Sequence, residues 1–143
     1  MALLSDADRQ ELQKTFAELT RPVKLVFFTQ TLNCETCDAA KQILDEVGKI
    51  SDKLTVEEHD FILEKEAAAA YGISRVPGIA VVSDGTDPGI RFFGAPMGYE
   101  FASLLEAIIL VGGAEEADLA ESSQQLIASV KEPVDIKVFV TPT

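Results

Sequence analysis

Residues 23–29 read Val-Lys-Leu-Val-Phe-Phe-Thr, one charged side chain in an otherwise apolar, β-branched and aromatic run. A strand this apolar has no solvent face. It must lie at the centre of a sheet with other elements packed above and below it. Arg21-Pro22 immediately precedes it and stops the element before. That earlier element reads as an amphipathic helix over 6–19, with Leu12, Phe16 and Leu19 on one face and a capping pair in Ser5 and Asp8.

After the strand comes a polar turn over 30–33. Ala40, Ile43, Leu44 and Val47 then recur at helical spacing, so a helix is expected over 34–47 with Asn33 as N-cap and Gly48 as C-cap. Residues 54–60 read as a second strand, and 64–71 as a short alanine-rich helix closed by Gly72. Two strands joined through a helix run parallel. Residues 79–83 and 90–93 flank Asp84-Gly85-Thr86-Asp87-Pro88-Gly89 and read as an antiparallel hairpin. A helix over 99–111, apolar at Phe101, Leu104, Leu105, Ile108 and Ile109, ends at Gly112-Gly113. The fold class is therefore α/β, a central mixed four-stranded sheet flanked by helices.

The remaining segment has its own pattern. Leu119, Leu126, Ile127 and Val130 mark a helix over 115–130, Pro133 breaks it, and Val134, Ile136, Val138 and Val140 alternate along a strand over 134–140. Helix, proline and strand repeat the opening of the chain. Residues 138–143 match residues 26–31 at four of six positions. The apolar face of this strand needs a sheet, supplied either by an exposed edge of the preceding unit's sheet or, as the favoured expectation, by pairing between two copies of the chain into a homodimer.

The chemistry lies in Cys34-Glu35-Thr36-Cys37, the chain's only two cysteines, placed between a strand and a helix. In a βαβ setting this spacing reads as a redox dithiol. A helix start favours a thiolate at Cys34, because free backbone N–H groups and the positive end of the helix dipole face it. Glu35 and Asp38 oppose that effect by charge, so the Cys34 pKa is expected to fall moderately from about 8.5. Cys37 is expected to be the more buried partner. Two other readings remain open. The pair could be half of a zinc site shared between chains, since only His59 remains as another nitrogen or sulfur ligand and structural zinc takes four. It could also be two inert buried thiols. His59 itself reads as a surface or strand histidine.

Element order, the dithiol at a strand-to-helix turn, and Arg75-Val76-Pro77 ahead of an apolar strand together resemble the thioredoxin-like superfamily. Residues 4–8, 22–25, 91–94 and 96–101 more narrowly resemble the N-terminal half of the protein disulfide oxidoreductases, glutaredoxin-like proteins built of two tandem thioredoxin-fold units. The resemblance implies that Pro77 is cis, that the Val76 backbone pairs with an extended substrate segment, and that Cys34 and Cys37 exchange disulfides with Glu35 and Thr36 forming the active-site loop. It implies a redox unit over 1–113 and the first helix and strand of a second unit over 114–143, whose own dithiol would follow Thr143. The expected function is thiol–disulfide exchange with protein thiols and disulfides, supplied by a thioredoxin-reductase-like electron donor and needing no cofactor or metal. The alternative is a dedicated electron-relay or docking domain for one partner reductase or peroxidase system.

A net charge of −12 repels phosphate backbones and argues against nucleic-acid binding. The longest unbroken apolar or glycine run spans residues 107–114, far short of the roughly twenty residues of a membrane helix. With no basic, apolar leader at the start, a cytoplasmic location is expected.

Overall fold

The computed structural model of the protein describes residues 4–141. The elements run α1 (Asp6–Ala17), β1 (Val23–Thr29), α2 (Cys37–Gly48), β2 (Leu54–Asp60), α3 (Lys65–Ala70), β3 (Gly78–Ser83), β4 (Arg91–Phe93), α4 (Tyr99–Val111) and α5 (Glu121–Ala128). The four strands form one mixed sheet of order β2-β1-β3-β4. β1 pairs in parallel with β2, and antiparallel with β3 from Val23↔Ser83 to Phe28↔Gly78. β4 adds a short antiparallel edge to β3.

The two-sided apolar character of β1 is used as the sequence requires. Val23, Leu25 and Phe27, with Ile79 and Val81 of β3, face a larger core shared with Phe16 of α1, Ile43, Leu44 and Val47 of α2, and Leu104 and Ile108 of α4. Val26 and Phe28, with Ala80 and Val82, face a smaller core holding Ala68 of α3 and Ile73. Each fully buried aliphatic or aromatic side chain of this kind contributes roughly 1.5–3 kcal/mol by leaving water.

Local chemistry sets the element ends. The Ser5 hydroxyl accepts from the Asp8 N–H and the Asp8 carboxylate accepts from the Ser5 N–H, both at 3.2 Å, which closes the capping box of α1. α4 ends against the α1–β1 connection. The Gly112 carbonyl accepts from the N–H groups of Thr20 and Arg21, and Arg21 Nε donates to the Val111 carbonyl at 2.8 Å. A guanidinium at a helix C-terminus also meets the negative end of the dipole.

Three expectations are corrected. Gly48 is the last residue of α2 and Lys49 caps it, so glycine is not there to end the helix. A Cβ at Gly48 would lie 2.8 Å from Val56 Cγ2, so this glycine lets α2 approach β2 closely. The C-terminal helix is shorter than the periodicity suggests, because residues 115–120 are irregular. Residues 134–140 show the alternation of a strand yet pair with none among the described residues, and Phe139 is 91% exposed. Extended backbone becomes a strand only when a neighbour takes its hydrogen bonds, and no edge of this sheet receives it.

The packing at Gly48 gives a two-variant test. Gly48→Ala should gain up to about 1 kcal/mol in helix propensity but lose about 1–3 kcal/mol to overpacking against a stiff valine, for a net loss in urea unfolding. In a Val56→Ala background the same substitution should be neutral or stabilising.

Candidate functional site

β1 delivers the chain to one end of the sheet, where the Thr29 carbonyl accepts from the Phe61 N–H at 2.8 Å and ties down the exit. The Gln30 side-chain amide donates to the Leu32 carbonyl at 2.7 Å and closes the turn that follows. Asn33 takes a left-handed conformation at φ 57°, which asparagine tolerates better than most residues. The N-cap of α2 is therefore Thr36, three residues later than the sequence suggests, and its side chain makes no capping bond. Asn33 reverses the chain where it was expected to start the helix.

Cys34 lies in the loop ahead of α2 and Cys37 is its first residue. They form a disulfide with Cα atoms 5.5 Å apart. Cys37 is 3% exposed beneath the loop, Cys34 is half-buried, and Glu35 and Thr36 between them face solvent. The first helical bond runs from the Ala40 N–H to the Thr36 carbonyl. The N–H groups of Cys37, Asp38 and Ala39 are left unpaired within the helix, as at any helix start. The positive end of α2 thus meets the disulfide at Cys37, with Cys34 reaching it through the bridge.

The Val76–Pro77 peptide is cis. Pro77 directly precedes β3, and the antiparallel register, extended by one residue beyond Phe28↔Gly78, sets it level with Thr29. The proline and the dithiol loop therefore leave the same end of the sheet. The Pro77 carbonyl accepts from the Gly94 N–H at 2.9 Å. The Val76 side chain packs into the smaller core, while its backbone N–H and carbonyl have no backbone partner among the described residues. A Cβ at Gly78 would fall 2.7 Å from Ile73 Cγ2 and 3.0 Å from the Arg75 carbonyl, so glycine permits the tight passage through residues 73–78.

His59 of β2, paired across from Phe28, lies in a cluster the sequence did not reveal. Its ring stacks on Phe28 with centroids 5.0 Å apart. Nδ1 lies 2.8 Å from a Glu64 oxygen and Nε2 2.8 Å from a Glu57 oxygen. Glu57 is two residues back on the same strand face, which the period of two could have shown. Glu64 arrives only through the β2–α3 turn. Hydrogen bonding to Glu64 and then Glu57 raises the His59 pKa against the opposing effect of burial. Hydrogen bonding to His59 lowers Glu64, and Lys24 followed by His59 lowers Glu57.

Among the described residues no three His, Cys, Asp or Glu side chains gather as a metal site, and no helix is long and apolar enough to cross a membrane.

A parallel–antiparallel sheet of this order, carrying a Cys-x-x-Cys disulfide where its central strand meets a helix and a cis-proline at the start of the neighbouring strand, defines a thioredoxin-fold disulfide oxidoreductase. Comparison with known proteins agrees. The chain is 39% identical over 75 residues to a probable thioredoxin of Methanothermobacter marburgensis, covering 52% of this chain and 81% of that one. The chain belongs to the thioredoxin family. It is also 30% identical over 106 residues to the alkyl hydroperoxide reductase AhpF of Escherichia coli, covering 73% of this chain and 18% of that one. The chain thus spans about a fifth of the length of such AhpF relatives. Among solved structures, the NTD_N/C domain of AhpF from Enterococcus faecalis superposes with a TM-score of 0.79 at 29% identity, over 90% of this chain and 62% of that one. A protein disulfide oxidoreductase from Aeropyrum pernix shares the fold, with a TM-score of 0.75 at 24% identity over 89% of this chain and 55% of that one. No family model matches the chain.

The His59 cluster sets a pH window. A histidine whose folded pKa is raised contributes fully below its unfolded value of about 6.5, and that contribution fades as pH rises through the folded value. The lowered carboxylates contribute above their unfolded value of about 4.3 and fade as pH falls through the folded ones. Thermal stability should therefore decline as pH rises above about 6.5, and His59→Gln should flatten that decline when the two melting curves are compared.

Proposed function

We propose that the protein exchanges disulfides with protein substrates through Cys34 and Cys37. In the reducing direction the Cys34 thiolate attacks one sulfur of a partner disulfide. A mixed disulfide forms and the partner's other sulfur leaves as a thiolate. The Cys37 thiolate then attacks the Cys34 sulfur, which restores the Cys34–Cys37 disulfide and releases the second partner thiol. Two electrons pass from the dithiol to the partner. A reductase-type partner returns them by the same exchange in reverse.

The observation that carries this reading is the unequal burial of the two sulfurs. Cys34 is accessible to a partner and Cys37 sits beneath it at the start of α2. The unpaired backbone of Val76 supports a further element, in which an extended partner segment pairs with Val76 beside Pro77 and is held over Cys34. Glu35 and Thr36, exposed between the cysteines, form the loop that the partner meets. A second reading, a dedicated electron relay to one partner system, is favoured by the likeness to the alkyl hydroperoxide reductase AhpF across most of this chain. In the same proposal residues 1–113 form the redox unit and residues 114–143 open a second one.

Reduced protein should reduce insulin, and Cys37→Ser should accumulate a mixed disulfide with it while Cys34→Ser forms none. Absence of exchange with any protein disulfide would refute the first reading. Broad turnover of insulin would count against the dedicated relay. Self-association belongs to the tail: light scattering should find a dimer for residues 1–143 and a monomer for residues 1–113, and a monomer in both cases would remove the pairing of residues 134–140 between copies.

A further inference from the structure

Arg75 immediately precedes Val76 and the cis-Pro77. It is exposed and makes no ion pair among the described residues. Its guanidinium is not left to roam, because it lies over the Phe93 ring, 4.7 Å from the centroid. Phe93 belongs to β4, so the charge rests on a strand of the sheet and not on a loose loop. Stacking on an aromatic face orients a guanidinium while leaving its edge donors open. The charges beside the cysteines have the opposite sign. Glu35 lies between the cysteines and Asp38 follows Cys37, both exposed. In a chain of net charge −12 this is an unpaired, pre-oriented cation beside an unpaired stretch of backbone.

We propose that Arg75 is a specificity-determining residue that reads a carboxylate on the partner segment. The proposal rests on the exchange reading above, in which that segment pairs with the Val76 backbone. A partner Asp or Glu near the reacting cysteine would be repelled by Glu35 and Asp38 and drawn to Arg75. There it finds planar donors that match a carboxylate. The favoured substrate is therefore an extended segment with an acidic residue at one defined distance from its reacting cysteine. Position is selected as well as charge, because the cation is fixed by the ring and the backbone by Val76.

The test uses full-length protein, reduced beforehand and freed of reductant, in single turnovers. One probe is bis(2-hydroxyethyl) disulfide, which is neutral and has no peptide backbone. The others are a disulfide-closed peptide with Gln at the three residues on either side of its first cysteine, and its six single Gln-to-Glu variants. Glu at one position should raise the second-order rate constant about two- to five-fold over the all-Gln peptide, as expected for a solvent-accessible ion pair. The gain should appear as a lower half-saturating peptide concentration and should shrink at about 0.5 M salt. In Arg75→Gln the ratio between that Glu peptide and the all-Gln peptide should fall to about one. Arg75→Lys should restore part of it. A preference at no position, or a preference that survives in Arg75→Gln, overturns the proposal while leaving the exchange reading intact. Failure of the reduced protein to react with the neutral disulfide and all the peptides overturns both.

Discussion

Burial of β1 on both faces is the constraint from which the rest of this structure follows. Leu25 and Phe27 point into one core and Val26 and Phe28 into the other, all four without solvent exposure. Such a strand has its ends fixed in all directions, so the chain leaving Thr29 starts from a rigid point. The cysteine loop is anchored there on one side and at the start of α2 on the other. α2 is itself held by Ala40, Ile43, Leu44 and Val47 in the larger core. The site is therefore a loop of few residues between two elements that cannot move independently, which is how a pair of sulfurs is held at bonding separation.

β3 brings the cis-proline to the same end of the sheet by the same means. Its register against β1 puts Gly78 opposite Phe28, so Pro77 and Val76 arrive where β1 ends. Gly78 and the close passage at Ile73 keep that arrival tight. Arg75, one residue earlier, takes its place from Phe93 on the neighbouring strand. Sheet register, and not chain proximity, brings residues 34–37 and 75–77 to one end of the molecule. The acidic dithiol loop and the cationic proline loop then give that end a polarity which a net charge of −12 does not express.

Much of this was legible in the residues. The capping box at Ser5 and Asp8, the two-faced strand over 23–29, the hairpin around residues 84–89 and the α4 stop at Gly112-Gly113 all have local causes, and the structure forms each of them. The redox spacing of Cys34 and Cys37 was equally visible. The misplaced helix start was a local error with a local remedy. Asn33 suits both an N-cap and a left-handed turn, and only the geometry of the turn distinguishes the two.

Sequence alone determined most of the elements, their order and the chemistry available at Cys34-Glu35-Thr36-Cys37, because propensity, periodicity and residue type act over a few neighbouring positions. Tertiary structure alone decided what depends on contacts between distant positions. Gly48 is glycine because Val56 lies against it, and His59 is bracketed by Glu57 and Glu64 because a turn brings the latter back. Arg75 is oriented because Phe93 pairs across β3 beside it. The tail shows the limit of local information most directly. Residues 134–140 repeat much of the pattern of β1, yet they form no strand here, since a strand is completed by hydrogen bonds from a neighbour and not by its own alternation.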